Sequence, residues 1–106
     1  MSNRNEKVAQ SIKELAAQFL SRVGNRTSLI TITAATCSPD LKRAAIFITV
    51  LPTEKEEGAL AFVRRKLPEI REHLKKNLRV KNIPFLEVKL DLGEKNRQKI
   101  DELLRG

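Results

Sequence analysis

The chain predicts an α+β fold: a three-stranded mixed sheet with helices packed on one face, in the order α-β-β-α-kink-α-β plus a C-terminal helix. Three observations predict it. Two long segments carry apolar residues at three- and four-residue steps, the mark of a helix with one buried face. Two alternating β-rich runs lie between them, joined by a turn too short for anything but an antiparallel hairpin. A third alternating run follows the second helical segment, so a helical crossover brings it back to the sheet. With 106 residues there is material for one modest core, and residues 1–106 are read as a single domain.

The elements follow in order. Val8, Ile12, Leu15, Ala16, Phe19 and Val23 line one face of a helix over about 5–23, and Gly24-Asn25 is a good stop because both tolerate the left-handed conformation. Leu29 to Cys37 alternates Thr with Ile and reads as a strand. Ser38-Pro39-Asp40 supplies turn chemistry, and Leu41 to Leu51 is the returning strand, with Ile46, Ile48 and Val50 on one face. Thr53 followed by Glu54, Glu56 and Glu57 reads as a capping hydroxyl and acids at a helix start. That helix runs to about Leu67, where Pro68 lacks an N–H and crowds the carbonyl four residues earlier, so it kinks or restarts and continues to about Leu78 or Arg79. Phe85 to Leu90 alternates as the third strand. Asp91 can cap a last helix whose apolar contacts are Ile100, Leu103 and Leu104.

Charge is the most informative property. There are 21 Lys and Arg against 13 acids, a net charge of +8, and the excess is local: residues 64–81 hold eight cations against Glu69 and Glu72 alone. Arg64, Arg65, Lys66, Arg71, Lys75, Lys76, Arg79 and Lys81 fall mostly off the apolar stripe of Leu60, Val63, Leu67, Ile70, Leu74 and Leu78. Repeated long cations on one element attract a phosphate backbone. Lys42 and Arg43, opening the second strand, form a secondary patch. Aromatics are scarce, four Phe with no Tyr or Trp, and the Phe are read as core, which favours recognition of shape and backbone over bases. The proline is expected to free the amides of Glu69, Ile70 and Arg71 as a further anion seat.

Other chemistries find little support. His73 stands among cations without a neighbouring Cys or His at ligand spacing, and it reads as an exposed residue. Cys37, the single cysteine, reads as a small buried hydrophobe and excludes an internal disulfide. No Walker, dinucleotide, zincin or nucleophile-elbow motif occurs, so a non-enzyme without cofactor or metal is expected. No apolar run reaches the roughly 20 residues of a membrane span, and the polar opening M-S-N-R-N-E-K lacks a signal-peptide core. A monomer in the cytoplasm is the expectation. The alternative partner for the basic surface is an acidic protein, which would make the chain a protein-interaction module.

Several fragments resemble one family when taken together. They are K-V-A-Q-S-I with Leu15, Phe19 and Leu20; Ser38-Pro39-Asp40-Leu41 leading into A-A-I-F-I-T-V-L; Ile70-Arg71-x-x-Leu74, Leu78-Arg79 and Ile83-Pro84-x-Leu86; and the ending I-D-E-L-L. In that order and spacing the chain resembles bacterial ribosome-binding factor A over nearly its whole length. The resemblance implies a type II KH-like domain in which a kink, usually at Ala-x-Gly, replaces the Gly-x-x-Gly loop of ordinary KH domains. Here the matching positions are Lys66-Leu67-Pro68, and proline takes over the task of enforcing the kink. It further implies a ribosome assembly factor that binds the 30S subunit and 16S rRNA, assists late rRNA maturation and 5′-end processing without catalysis, and matters in the cold.

Overall fold

The computed structural model describes residues 4–24 and 28–93. The elements are α1 (Arg4–Val23), β1 (Leu29–Cys37), β2 (Arg43–Leu51), a 3-10 turn (Thr53–Lys55), α2 (Glu56–Asn77) and β3 (Phe85–Leu90). The strand order is β1-β2-β3, with β1 antiparallel and β3 parallel to the central β2. The expected mixed sheet is therefore present. The final helix expected from Ile100, Leu103 and Leu104 lies outside the described residues.

Both helices lie on one face of the sheet, α1 mainly over β1 and α2 mainly over β3, with the two helices touching. The alternation of β2 sends Ala44, Ile46, Ile48 and Val50 into that layer, where they meet Val8, Ile12 and Ala16 of α1 and Val63, Ile70 and Leu74 of α2. Leu86 and Val88 complete the core from β3. No charged residue is buried among the described residues, so apolar burial is the main stabilising contribution here.

Four local features differ from the sequence reading, each for a physical reason. First, β2 begins at Arg43 rather than Leu41. Ser38 Oγ accepts from the amides of Lys42 and Arg43, and Asp40 Oδ1 accepts from the Lys42 amide and the Ser38 hydroxyl. These bonds wrap the turn tightly enough to place Leu41 at φ 61°, outside any strand. Second, β1 carries an irregularity between Ile32 and Ala34 that leaves Thr33 unpaired, and its hydroxyl donates to the Asp91 carboxylate instead. Third, Thr53 does not cap α2. It opens the 3-10 turn, and the N-cap position falls to Lys55, with no side-chain cap bond. Fourth, α2 is one helical element through Pro68, where a restart was an open expectation. The proline removes a single donor, the one that would serve the Arg64 carbonyl. No second helix N-terminus is created, so the amides of Glu69, Ile70 and Arg71 do not form the separate anion seat expected of them.

The stops are as read at α1 and close to it at α2. Gly24 adopts φ 61° and its amide bonds the Leu20 carbonyl at 2.9 Å. Asn77 Nδ2 donates to the His73 carbonyl at 2.8 Å, satisfying an end group of α2.

Candidate nucleic-acid interface

The ten cations singled out from the sequence do not share one face. Arg64, Pro68, Arg71 and Lys75 recur at four- and three-residue steps and so form a stripe along one flank of α2. Arg64, Leu67, Pro68 and Arg71 line a groove of about 670 Å³ whose other wall is Ile83, Phe85 and Leu86. This flank faces β3 and the connector before it. Lys66 lies on the opposite flank, its ammonium 5.9 Å from the Phe62 ring centroid and 3.2 Å from Glu69. Arg65 and Lys76 are exposed, at helical positions far from the core stripe. Lys75 pairs with Glu72 at 3.0 Å, an exposed pair that solvent screens. Arg79 follows the end of α2 and is exposed.

The secondary patch lies beside the groove, and Ile83 lines both. Arg43 is the register partner of Phe85 in the parallel ladder, and the Phe85 amide donates to the Lys42 carbonyl at 2.8 Å. Lys42 and Lys81 line one shallow hollow with Leu41, Val80, Asn82 and Ile83. Residues far apart in sequence thus converge: Lys42 and Arg43 from the hairpin, Arg64 and Arg71 from α2, Lys81 from the connector. The connector makes this possible by folding Ile83 and the fully buried Pro84 against the core.

Phe85 was missed. The sequence reading placed all four phenylalanines in the core, yet Phe85 is 61% exposed, and Phe19, Phe47 and Phe62 are half-buried. The signal was in the alternation itself. Leu86 and Val88 face the helices, so Phe85 shares its parity with Glu87 and Lys89 on the outward side.

The reactive residues are occupied with packing. The His73 ring is half-buried rather than exposed, tilted against Phe19 at 6.3 Å with Nε2 3.4 Å from Gln18 Oε1, and so helps join α1 to α2. Cys37 is buried as expected, and burial followed by the nearby Asp40 charge pushes its thiol up, disfavouring the thiolate. Among the described residues no group of three or more His, Cys, Asp or Glu could hold a metal, and no helix is long and apolar enough to cross a membrane.

The family model of ribosome-binding factor A matches residues 4–104. The chain belongs to the ribosome-binding factor A family. It is 32% identical to ribosome-binding factor A of Geobacter metallireducens, over 99% of this chain and 92% of that protein. It is 34% identical to that of Trichlorobacter lovleyi, over 96% of this chain and 85% of that protein. Among solved structures, the crystal structure of ribosome-binding factor A from Thermus thermophilus superposes with a TM-score of 0.71 at 20% identity, covering 81% of this chain and 94% of that one. A Thermus thermophilus ribosome binding factor A homology model, fitted into a cryo-EM map of its 30S complex, gives 0.68 at 21% identity, covering 79% and 91%. The fold is the type II KH-like one the sequence resemblance implied.

Proposed function

We propose that this chain is a single KH-like RNA-binding domain that binds the 30S subunit through 16S rRNA and assists late 16S maturation, including 5′-end processing, without catalysis. Family membership supports ribosome binding, and the Thermus thermophilus relative is described in a 30S complex. The single observation that carries the RNA part is that two neighbouring hollows sharing Ile83 are lined by cations, Arg64 and Arg71 in one and Lys42 and Lys81 in the other, with Arg43 beside Phe85 in the strand ladder. Their long side chains suit phosphates at several positions along a backbone. Arg65, Lys66, Lys75, Lys76 and Arg79 extend the positive field over the rest of α2 and contribute mainly to attraction at a distance. Leu67 and Pro68 form part of one groove wall, and Lys66, Leu67 and Pro68 are the positions at which we assign the helix kink, with Lys66 itself on the far flank.

The work is done by differential affinity. A factor that binds an immature arrangement of rRNA more tightly than the mature one holds the former and leaves the latter. It requires no reacting group. We place the protein in the cytoplasm, as a monomer, with its greatest importance in the cold, where misfolded RNA escapes slowly.

The deciding experiment reverses Lys42, Arg64 and Lys81 to Glu and measures binding to purified 30S subunits across a salt series. Each lost phosphate contact lowers the log-log salt slope by roughly 0.7–0.9. Unchanged affinity and slope would remove this surface from the interface. Ribonuclease treatment before sedimentation separates this reading from an acidic protein partner, which would be retained after the RNA is gone.

A further inference from the structure

The groove beside α2 has an apolar floor, a cationic rim and one ring standing out of it. Leu67, Ile83 and Leu86 are its more buried apolar lining, the exposed Pro68 stands in its wall between Arg64 and Arg71, and Phe85 is the ring. A single exposed apolar residue is ordinary on a protein surface. Leu29 and Leu51 are equally exposed, but they face each other across the β1–β2 ladder. Phe85 faces Arg43 across the β2–β3 ladder and lines a groove with two further arginines. Flat aromatic surface flanked by guanidinium groups is suited to a nucleobase with a phosphate on either side.

We propose that Phe85 is a stacking platform for an unpaired base of RNA, with Arg43 and Arg64 taking the phosphates that flank it. The proposal rests on the rRNA-binding reading above and adds what that reading lacks, a preference for single-stranded over duplex RNA. Bases in a duplex are already stacked and cannot reach the ring. An apolar floor offers base edges no hydrogen bonds, so the site tolerates different bases. An extended peptide added to the β3 edge would be the other occupant of such a groove, but it has no use for a ring flanked by cations. Charge complementarity favours RNA: the acid nearest in sequence, Glu87, has Lys89 3.7 Å away.

The chain has no Trp or Tyr, so Phe85→Trp introduces its sole indole at the site. The full chain is titrated with a short oligouridine and with a blunt RNA duplex. Oligouridine is expected to quench the indole and the duplex to leave it bright. In anisotropy titrations with the same RNAs, Phe85→Leu should weaken oligouridine about 5- to 100-fold while Phe85→Trp retains it, and duplex affinity should not change. Because Phe85 is exposed, both variants should melt with the parent, and the tryptophan variant shows whether a ring is what matters. An unquenched indole, or a leucine variant that binds oligouridine like the parent, overturns the proposal. If that happens while reversal of Arg64 and Lys81 still abolishes binding of both RNAs, phosphate binding stands and stacking alone fails. If neither RNA binds even at low salt, both readings fail, and an extended peptide becomes the occupant to test.

Discussion

Arg71 Nη1 donates to the carbonyl oxygen of Pro84 at 2.8 Å, tying the middle of α2 to the last residue before β3. The partner proline is fully buried, so its carbonyl depends on this donor. One arginine therefore sets the distance between the two walls of the groove and keeps further N–H groups for a ligand. Arg71→Met retains the aliphatic stem and removes the bond. It should cost about 1–2 kcal/mol in urea unfolding and weaken 30S binding. Arg71→Lys restores the charge but not the planar fork, so it should recover binding only in part. A methionine variant as stable as the parent would show the bond to be incidental.

The turn at Ser38-Pro39-Asp40 makes a second prediction. Ser38 Oγ accepts from the two backbone amides, of Lys42 and Arg43, that lead into β2. Ser38→Ala should lower stability by about 1 kcal/mol, measured as a shift in urea midpoint without a change in slope. Asp40 titrates with the turn. Its carboxyl is held below its ordinary value, first by the Ser38 hydroxyl and then by the Lys42 amide. A depressed folded pKa means stability that is present above the unfolded pKa, about 3.9, and lost as pH falls through the lower folded value. The stability gap between the parent and Asp40→Asn should accordingly be open near neutral pH and close in acid. A gap that widens in acid would reverse the assignment.

How far the sequence carried the fold depends on which physical signal each element used. Alternation in β2 and in β3, and helical spacing in α1 and α2, follow from burial on one face, and each located its element to within a few residues. Features set by a particular side-chain bond were invisible. Leu41 at positive φ is the outcome of Ser38 and Asp40 capturing two amides, and no propensity for leucine foretells it. Thr33 is unpaired where the Thr–Ile alternation gives way to Ala34-Ala35, a pair with no polarity contrast between the two faces, so register was weakly specified there. The candidate site was half legible. Charge named all ten cations, but only the parallel return of β3 beside β2 brings Arg43 to Phe85, and pairing between strands is not written in local pattern.

Burial depth separates two leucines that composition treats alike. Leu74 is 0% exposed at the centre of the core, whereas Leu51 is 61% exposed at the end of β2. Leu74→Ala should cost about 2–5 kcal/mol, through lost burial and the cavity left behind. Leu51→Ala should stay within about 0.5 kcal/mol. Paired denaturation curves check both, and similar losses at the two sites would mean that Leu51 is covered in solution.

Pro68 sets stability against shape. It is exposed within a helix that continues on both sides, so no buried contact requires it, and it deprives the Arg64 carbonyl of a bond. Pro68→Ala restores that donor at a position where alanine is the better helix former. The intrinsic gain, about 3 kcal/mol, is offset by the greater freedom alanine gives the unfolded chain, so a net stabilisation of about 1–2 kcal/mol is expected. The same substitution removes part of the groove wall between Arg64 and Arg71 and straightens whatever bend the proline enforces. The variant should therefore be more resistant to urea yet bind 30S subunits less tightly. Greater stability with full affinity would show that the bend is dispensable. Lower stability would show that the proline is held by packing in solution.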